Sequence, residues 1–165
     1  MKFFPRFALL ASPATAAPVQ MLFNLVTASN NSHNGLYLST QSTGPLNSKA
    51  VFRDPVNAGT FYLDNHSVRF EAHNGAPWAM ALFSGSNVAG RVGVSVAPSS
   101  GSSGFELSDG GALTTTNNDF GGWLVCEDQS SGSLPGLYYI NKSVGGGLPD
   151  SCDEVQLVVK FKTSP

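Results

Sequence analysis

Residues able to do chemistry are few in this chain, and their spacing is poor. The nearest approach to a hydrolytic Gly-x-Ser-x-Gly elbow is Gly93-Val94-Ser95-Val96-Ala97. That motif needs its serine on a sharp strand-to-helix turn. Ser95 instead sits inside an alternating apolar run, within a strand, and reads as structural. His33, His66 and His73 lack the helical spacing or the Cys-x-x-Cys neighbour that a zinc site uses. His66 falls in a turn, and His66 and His73 stand at opposite ends of one short apolar segment, so they diverge.

Glycoside hydrolysis needs two carboxyl groups about 5–9 Å apart. Glu71, Glu106, Asp109, Asp119, Glu127 and Asp128 are available. Adjacent Glu127 and Asp128 project to opposite sides of a strand, and the other acids lie near turns where water solvates them. Asp150-Ser151-Cys152-Asp153-Glu154 puts three acids into five residues, but without the EF-hand spacing for calcium. The reading is a protein that is not an enzyme, with no catalytic residues, no metal and no cofactor.

Aromatic residues offer binding surfaces instead. Trp78 shares its strand face with Met80 and Leu82, and Trp123 shares its face with Val125, so both are expected in the core. Tyr37, Tyr62 and Tyr138 alternate away from apolar neighbours and are the candidate ligand-contacting residues.

The elements that must position these side chains are strands. Ser, Gly, Asn and Thr make up 60 of the 165 residues, while charged residues are only 12%. This excludes a coiled coil, a charged disordered tail and a helix-rich enzyme. Twelve period-2 segments alternate with turn clusters such as Asp64-Asn65-His66 and Asn74-Gly75. The clearest runs from Glu154 to Lys162 and sets Val155, Leu157, Val159 and Phe161 on one inward face.

Phe61-x-Leu63 followed by Trp78 is echoed 44–45 residues on by Phe105-x-Leu107 followed by Trp123, with a weaker copy from Phe23-x-Leu25. The expected fold class is all-β: a closed barrel of about twelve short strands, β-trefoil-like, with a β-sandwich as the alternative. One domain is expected, over residues 23–162.

The first residues read as an export signal. Lys2 and Arg6 precede the apolar Phe7–Ala11, and Ala14-Thr15-Ala16 fits a small-x-small cleavage pattern. Residues 1–16 are thus the expected signal peptide, and residues 17–22 a short lead. Cleavage removes two of the nine Lys and Arg and none of the eleven acids, so the net charge moves from −2 to −4. No basic cluster remains to neutralise phosphates, which excludes nucleic acid as a partner. No apolar run is long enough for a membrane span.

The two cysteines, Cys126 and Cys152, are 26 positions apart. In an exported chain an even count points to a disulfide; the other reading is two buried free thiols. Closing such a loop stabilises a fold by about 3.5 kcal/mol. Asn30, Asn65 and Asn141 each head an Asn-x-Ser sequon and are the glycosylation candidates. Chance gives about two sequons in this composition, so their number does not argue for export.

Several segments together resemble an uncharacterised family of small secreted fungal proteins. They include Phe23-Asn24-Leu25-Val26-Thr27, Gly35-Leu36-Tyr37-Leu38-Ser39, Ala76-Pro77-Trp78, Gly121-Gly122-Trp123-Leu124-Val125-Cys126 and Ser151-Cys152-Asp153-Glu154-Val155-Gln156-Leu157-Val158. The resemblance runs from Phe23 to about Phe161. It implies secretion, an all-β domain, pairing of the two cysteines and no established catalytic residues. The expected function is extracellular binding or interaction, effector-like, elicitor-like or wall-associated, by a monomer that meets an extracellular protein or glycan. A carbohydrate-active enzyme or hydrolase inhibitor is the alternative.

Overall fold

The computed structural model describes residues 20–96, 101–127 and 133–162. The expected signal peptide, residues 17–19 of the lead, and Asp128 lie outside the described residues. Twelve strands follow one another: β1 (Phe23–Ala28), β2 (Tyr37–Gly44), β3 (Asn47–Arg53), β4 (Phe61–Asp64), β5 (Ser67–Glu71) and β6 (Pro77–Phe83), then β7 (Ala89–Ser95), β8 (Phe105–Leu107), β9 (Leu113–Thr115), β10 (Phe120–Cys126), β11 (Gly136–Asn141) and β12 (Cys152–Phe161). Each of the twelve alternating segments overlaps one of them.

Ten strands share one antiparallel sheet, and β8 and β9 pair separately as a short ribbon. Nine of the ten close into a barrel along the circuit β1-β4-β5-β6-β7-β3-β11-β10-β12 and back to β1. Strand β2 lies outside this circuit and joins β1 to β3. The barrel is therefore nine-stranded, where the sequence suggested about twelve. Closure removes the free edges that would otherwise invite pairing with other chains.

Three further contacts tie the strands together. Phe23 stands opposite Phe61 across β1 and β4, the N–H of Phe105 in β8 donates to the carbonyl of His66 beside β5, and Ala112 beside β9 bridges Val158 in β12. At one end β3, β7 and β11 pair with each other in all three combinations. Phe23 and Phe61, which open two copies of the sequence echo, are cross-strand neighbours in β1 and β4.

The core is apolar and continuous. Phe61, Phe105 and Leu157 are fully buried, as are Leu25, Leu38, Val68, Met80 and Tyr139. Alternation explains this along the strands: β11 reads half-buried Gly136, buried Leu137, half-buried Tyr138, buried Tyr139, half-buried Ile140 and buried Asn141. Tyr139 fits because Gly90 stands opposite it on β7; a Cβ at Gly90 would collide with the Tyr139 ring. The β4–β5 hairpin turns through Asn65 and His66, both with positive φ (46° and 60°), a conformation Asn tolerates better than most residues.

Two inward assignments fail at strand ends. Phe161 is 54% exposed: it stands at the end of β12 opposite Phe23, whose ring it meets at 6.2 Å and nearly at right angles. Trp78 begins β6 next to exposed Pro77 and is half-buried opposite Phe70, whereas Trp123 is buried as expected.

Candidate functional site

Cys126 and Cys152 face each other in register across β10 and β12 and are joined by a disulfide. The bond fastens the end of β10 to the start of β12, where the long β11–β12 connection returns to the barrel. Beyond it the chain stays paired, with Glu127 N–H donating to the Ser151 carbonyl at 2.8 Å.

The disulfide forms one side of an open groove of about 710 Å³. Tyr138 and Glu127 line it, together with Pro149 and the glycine-rich segment 145–147. The β6–β7 loop, at Asn87 and Val88, completes the wall. Tyr138 is directed here by the alternation of β11, which sends Leu137 and Tyr139 inward.

Asn141 holds the two loops of this groove in place. Its side chain is 1% exposed. Its Oδ1 accepts from the N–H of Ser143 at 3.1 Å and from the Ser143 hydroxyl at 2.6 Å, which makes the turn out of β11. Its backbone N–H donates to the Val88 carbonyl at 2.7 Å, and its Nδ2 to the Gly85 carbonyl at 3.5 Å. One asparagine thus ties the β11–β12 connection to the β6–β7 loop.

Glu127, which lines the groove, also belongs to a cluster around one histidine. His33, in the β1–β2 connection, directs Nδ1 at Asp153 Oδ2 (2.8 Å) and Nε2 at Glu127 Oε1 (3.5 Å). A carboxylate accepts, so Nδ1 carries the hydrogen toward Asp153. The backbone of His33 is equally engaged: its N–H donates to Asn31 Oδ1 at 2.9 Å and its carbonyl accepts from the Thr27 hydroxyl at 2.5 Å. The side chain is only 10% exposed. This is a clasp between three separate segments, with Nδ1 bonded to Asp153 and Nε2 near Glu127.

A family model described as a domain of unknown function matches residues 20–161. The chain belongs to the DUF7907 family. No curated protein and no solved structure matches it. The DUF7907 match spans all twelve strands, the disulfide, the groove and the histidine clasp.

Within the DUF7907 domain the three candidate tyrosines lie apart. All three are half-buried. Tyr37 on β2 is engaged by Lys160, whose Nζ donates to its hydroxyl at 3.0 Å and sits 5.1 Å from the ring centroid. Tyr62 lies on β4 opposite Arg69. Tyr138 alone lines the groove beside the disulfide.

His33, Asp153 and Glu127 form a cluster that sequence reasoning missed. His33 and Asp153 are 120 positions apart, and no local pattern connects them. Among the described residues no group of three His, Cys, Asp or Glu is arranged to hold a metal ion.

Proposed function

We propose that this chain is a secreted fungal protein that works by extracellular binding, on a β-trefoil-like plan, and that its ligand lies in the groove containing Tyr138. Threefold repetition of the β1–β4, β5–β8 and β9–β12 contacts supports the plan, as does the mutual pairing of β3, β7 and β11. A disulfide favours an oxidising compartment. Among the described residues no helix is long and apolar enough to cross a membrane.

The observation that carries the binding reading is the placement of Tyr138: an outward aromatic ring in a concavity whose walls are held by a disulfide and by Asn141. A half-exposed tyrosine offers an apolar face and a hydroxyl, the combination that stacks on a sugar ring and hydrogen-bonds its edge. Preorganised walls lower the ordering cost of binding. We favour a neutral, hydroxyl-rich polysaccharide of a cell wall as ligand.

A binding role also fits the acids nearest the groove. His33 fills the space between Glu127 and Asp153, where a hydrolase would seat the glycosidic oxygen. The test is a pull-down with insoluble wall polysaccharides, followed by titration against soluble fragments of whichever is retained. Tyr138→Ala is expected to weaken binding by about 2 kcal/mol, roughly thirtyfold, while the melting temperature holds. Equal affinity of the Tyr138→Ala variant and the parent would remove the groove from consideration.

A further inference from the structure

We infer that Asn30 and Asn65 carry N-linked glycans in the folded, exported protein and that Asn141, the third sequon asparagine, carries none. The inference rests on the secreted reading above. It concerns different residues from the ligand groove, although it explains how one sequon comes to serve that groove's architecture.

The three sequons are alike in sequence, Asn30-Asn31-Ser32, Asn65-His66-Ser67 and Asn141-Lys142-Ser143, but the fold separates them. In the β1–β2 connection the neighbours of Asn30 do the structural work. Asn31 Oδ1 accepts from the Ser29 hydroxyl (2.6 Å) and from His33 N–H (2.9 Å), and Asn34 Oδ1 accepts from Ser29 N–H (3.2 Å). Asn30 is left exposed, on the rim of an amide-rich groove of about 750 Å³ that Asn31, Asn34 and Gln156 also line. Core sugars have room there against hydrogen-bonding groups.

Asn65 sits at the tip of the β4–β5 hairpin. Its side chain is exposed, and its Nδ2 reaches only the neighbouring Asp64 carboxylate, at 3.1 Å. The turn holds its backbone at φ 46°, and the Asn65 amide bonds to the Asp64 carboxylate rather than to the turn backbone, so a sugar on Nδ2 leaves the hairpin intact.

Asn141 is the opposite case. Transfer joins Nδ2 to the anomeric carbon of a lipid-diphosphate-linked oligosaccharide. The C–N bond forms as the anomeric C–O bond breaks, the lipid diphosphate leaves, and one amide proton goes to the transferase base. The product nitrogen keeps one hydrogen and bears a sugar. At Asn141 that nitrogen faces the Gly85 carbonyl in a residue 1% exposed, so no sugar fits without opening the β6–β7 and β11–β12 loops. A chain glycosylated there does not reach this fold.

The full chain, with a borrowed leader replacing residues 1–16, is secreted from a eukaryotic host. The monomeric fraction is deglycosylated with peptide N-glycosidase in heavy-oxygen water, which marks each formerly occupied asparagine for peptide mass spectrometry. Marks at Asn30 and Asn65 and none at Asn141 are expected. Ser32→Ala and Ser67→Ala should each remove one glycan step on a gel, and Ser143→Ala none. A mark at Asn141 in the folded monomer overturns the inference, and so does an unmarked Asn30 or Asn65. A parallel chain with its own residues 1–16 tests export separately: its retention in the cell refutes the secreted reading, while the site pattern behind the borrowed leader still stands or falls by itself.

Discussion

Trp123 donates its indole N–H to the carbonyl of Leu113 at 2.7 Å, with both residues buried in the barrel. The bond joins β10 to β9 and so ties the separate β8–β9 ribbon to the main sheet. Phe105 stacks on the indole at 6.5 Å and Phe120 meets it edge-on at 4.8 Å. Trp123→Ala should therefore cost about 3–5 kcal/mol. Trp123→Phe, which keeps most of the ring but strands the Leu113 carbonyl, should cost about 1–3 kcal/mol. Half-buried Trp78 should lose only about 1–2 kcal/mol on truncation. Urea unfolding with unchanged m-values measures all three, and equal costs for the two tryptophan truncations would contradict the difference in burial.

Gly90 admits the Tyr139 ring. Gly90→Ala should destabilise by about 1–3 kcal/mol through overpacking. The same change in a Tyr139→Leu background should cost much less than it does in the parent. Thermal melts of the four proteins supply the cycle; simple additivity would mean that the close approach does not set the cost.

Reduction of the Cys126–Cys152 bond should lower stability by about 3–4 kcal/mol on the chain-entropy model. The β10–β12 ladder persists below it through Trp123 opposite Val155 and Leu124 opposite Glu154, so the barrel should survive with a lower melting point. The double variant Cys126→Ser, Cys152→Ser should melt where the reduced parent does. Complete loss of near-ultraviolet circular dichroism at room temperature would show instead that the bond is needed for folding itself.

Two positions on the same face of β12 should differ sharply. Leu157 is fully buried and Phe161 is 54% exposed. Leu157→Ala should cost about 2–5 kcal/mol, and Phe161→Ala about 1 kcal/mol despite the larger side chain. A cost for Phe161 above that for Leu157 would place the aromatic ring inside the barrel in solution.

These contrasts mark what could be read from the residues alone. Alternation located every strand and gave the facing of Leu157 and Trp123, because a two-residue period is a local property of the chain. It could not give depth. Trp78 and Phe161 have inward parity but stand at strand ends, and only the relative stagger of neighbouring strands decides how far each is covered. Nor could it count the barrel: β8 and β9 have the same local pattern as the others, yet pair only with each other as strands. At the candidate site, Tyr138 was legible because its neighbours Leu137 and Tyr139 flank it on the same strand. The His33 clasp was not, since its partners come from the starts and ends of strands distant in sequence.

The N–H of Lys162 donates to the carbonyl of Leu22 at 3.0 Å, and Phe23 lies opposite Phe161. The start and finish of the barrel are therefore spatial neighbours, and the order in which the strands are synthesised is separable from the architecture they build. A short linker from residue 162 to residue 22, with new termini opened between exposed Asn74 and Gly75, would leave the β1–β12 ladder in place. It would also convert that ladder from the longest-range pairing in the chain to a local hairpin. Such a circular permutant would close the barrel in a different temporal sequence and reach the same end state, with folding speed as the property that changes.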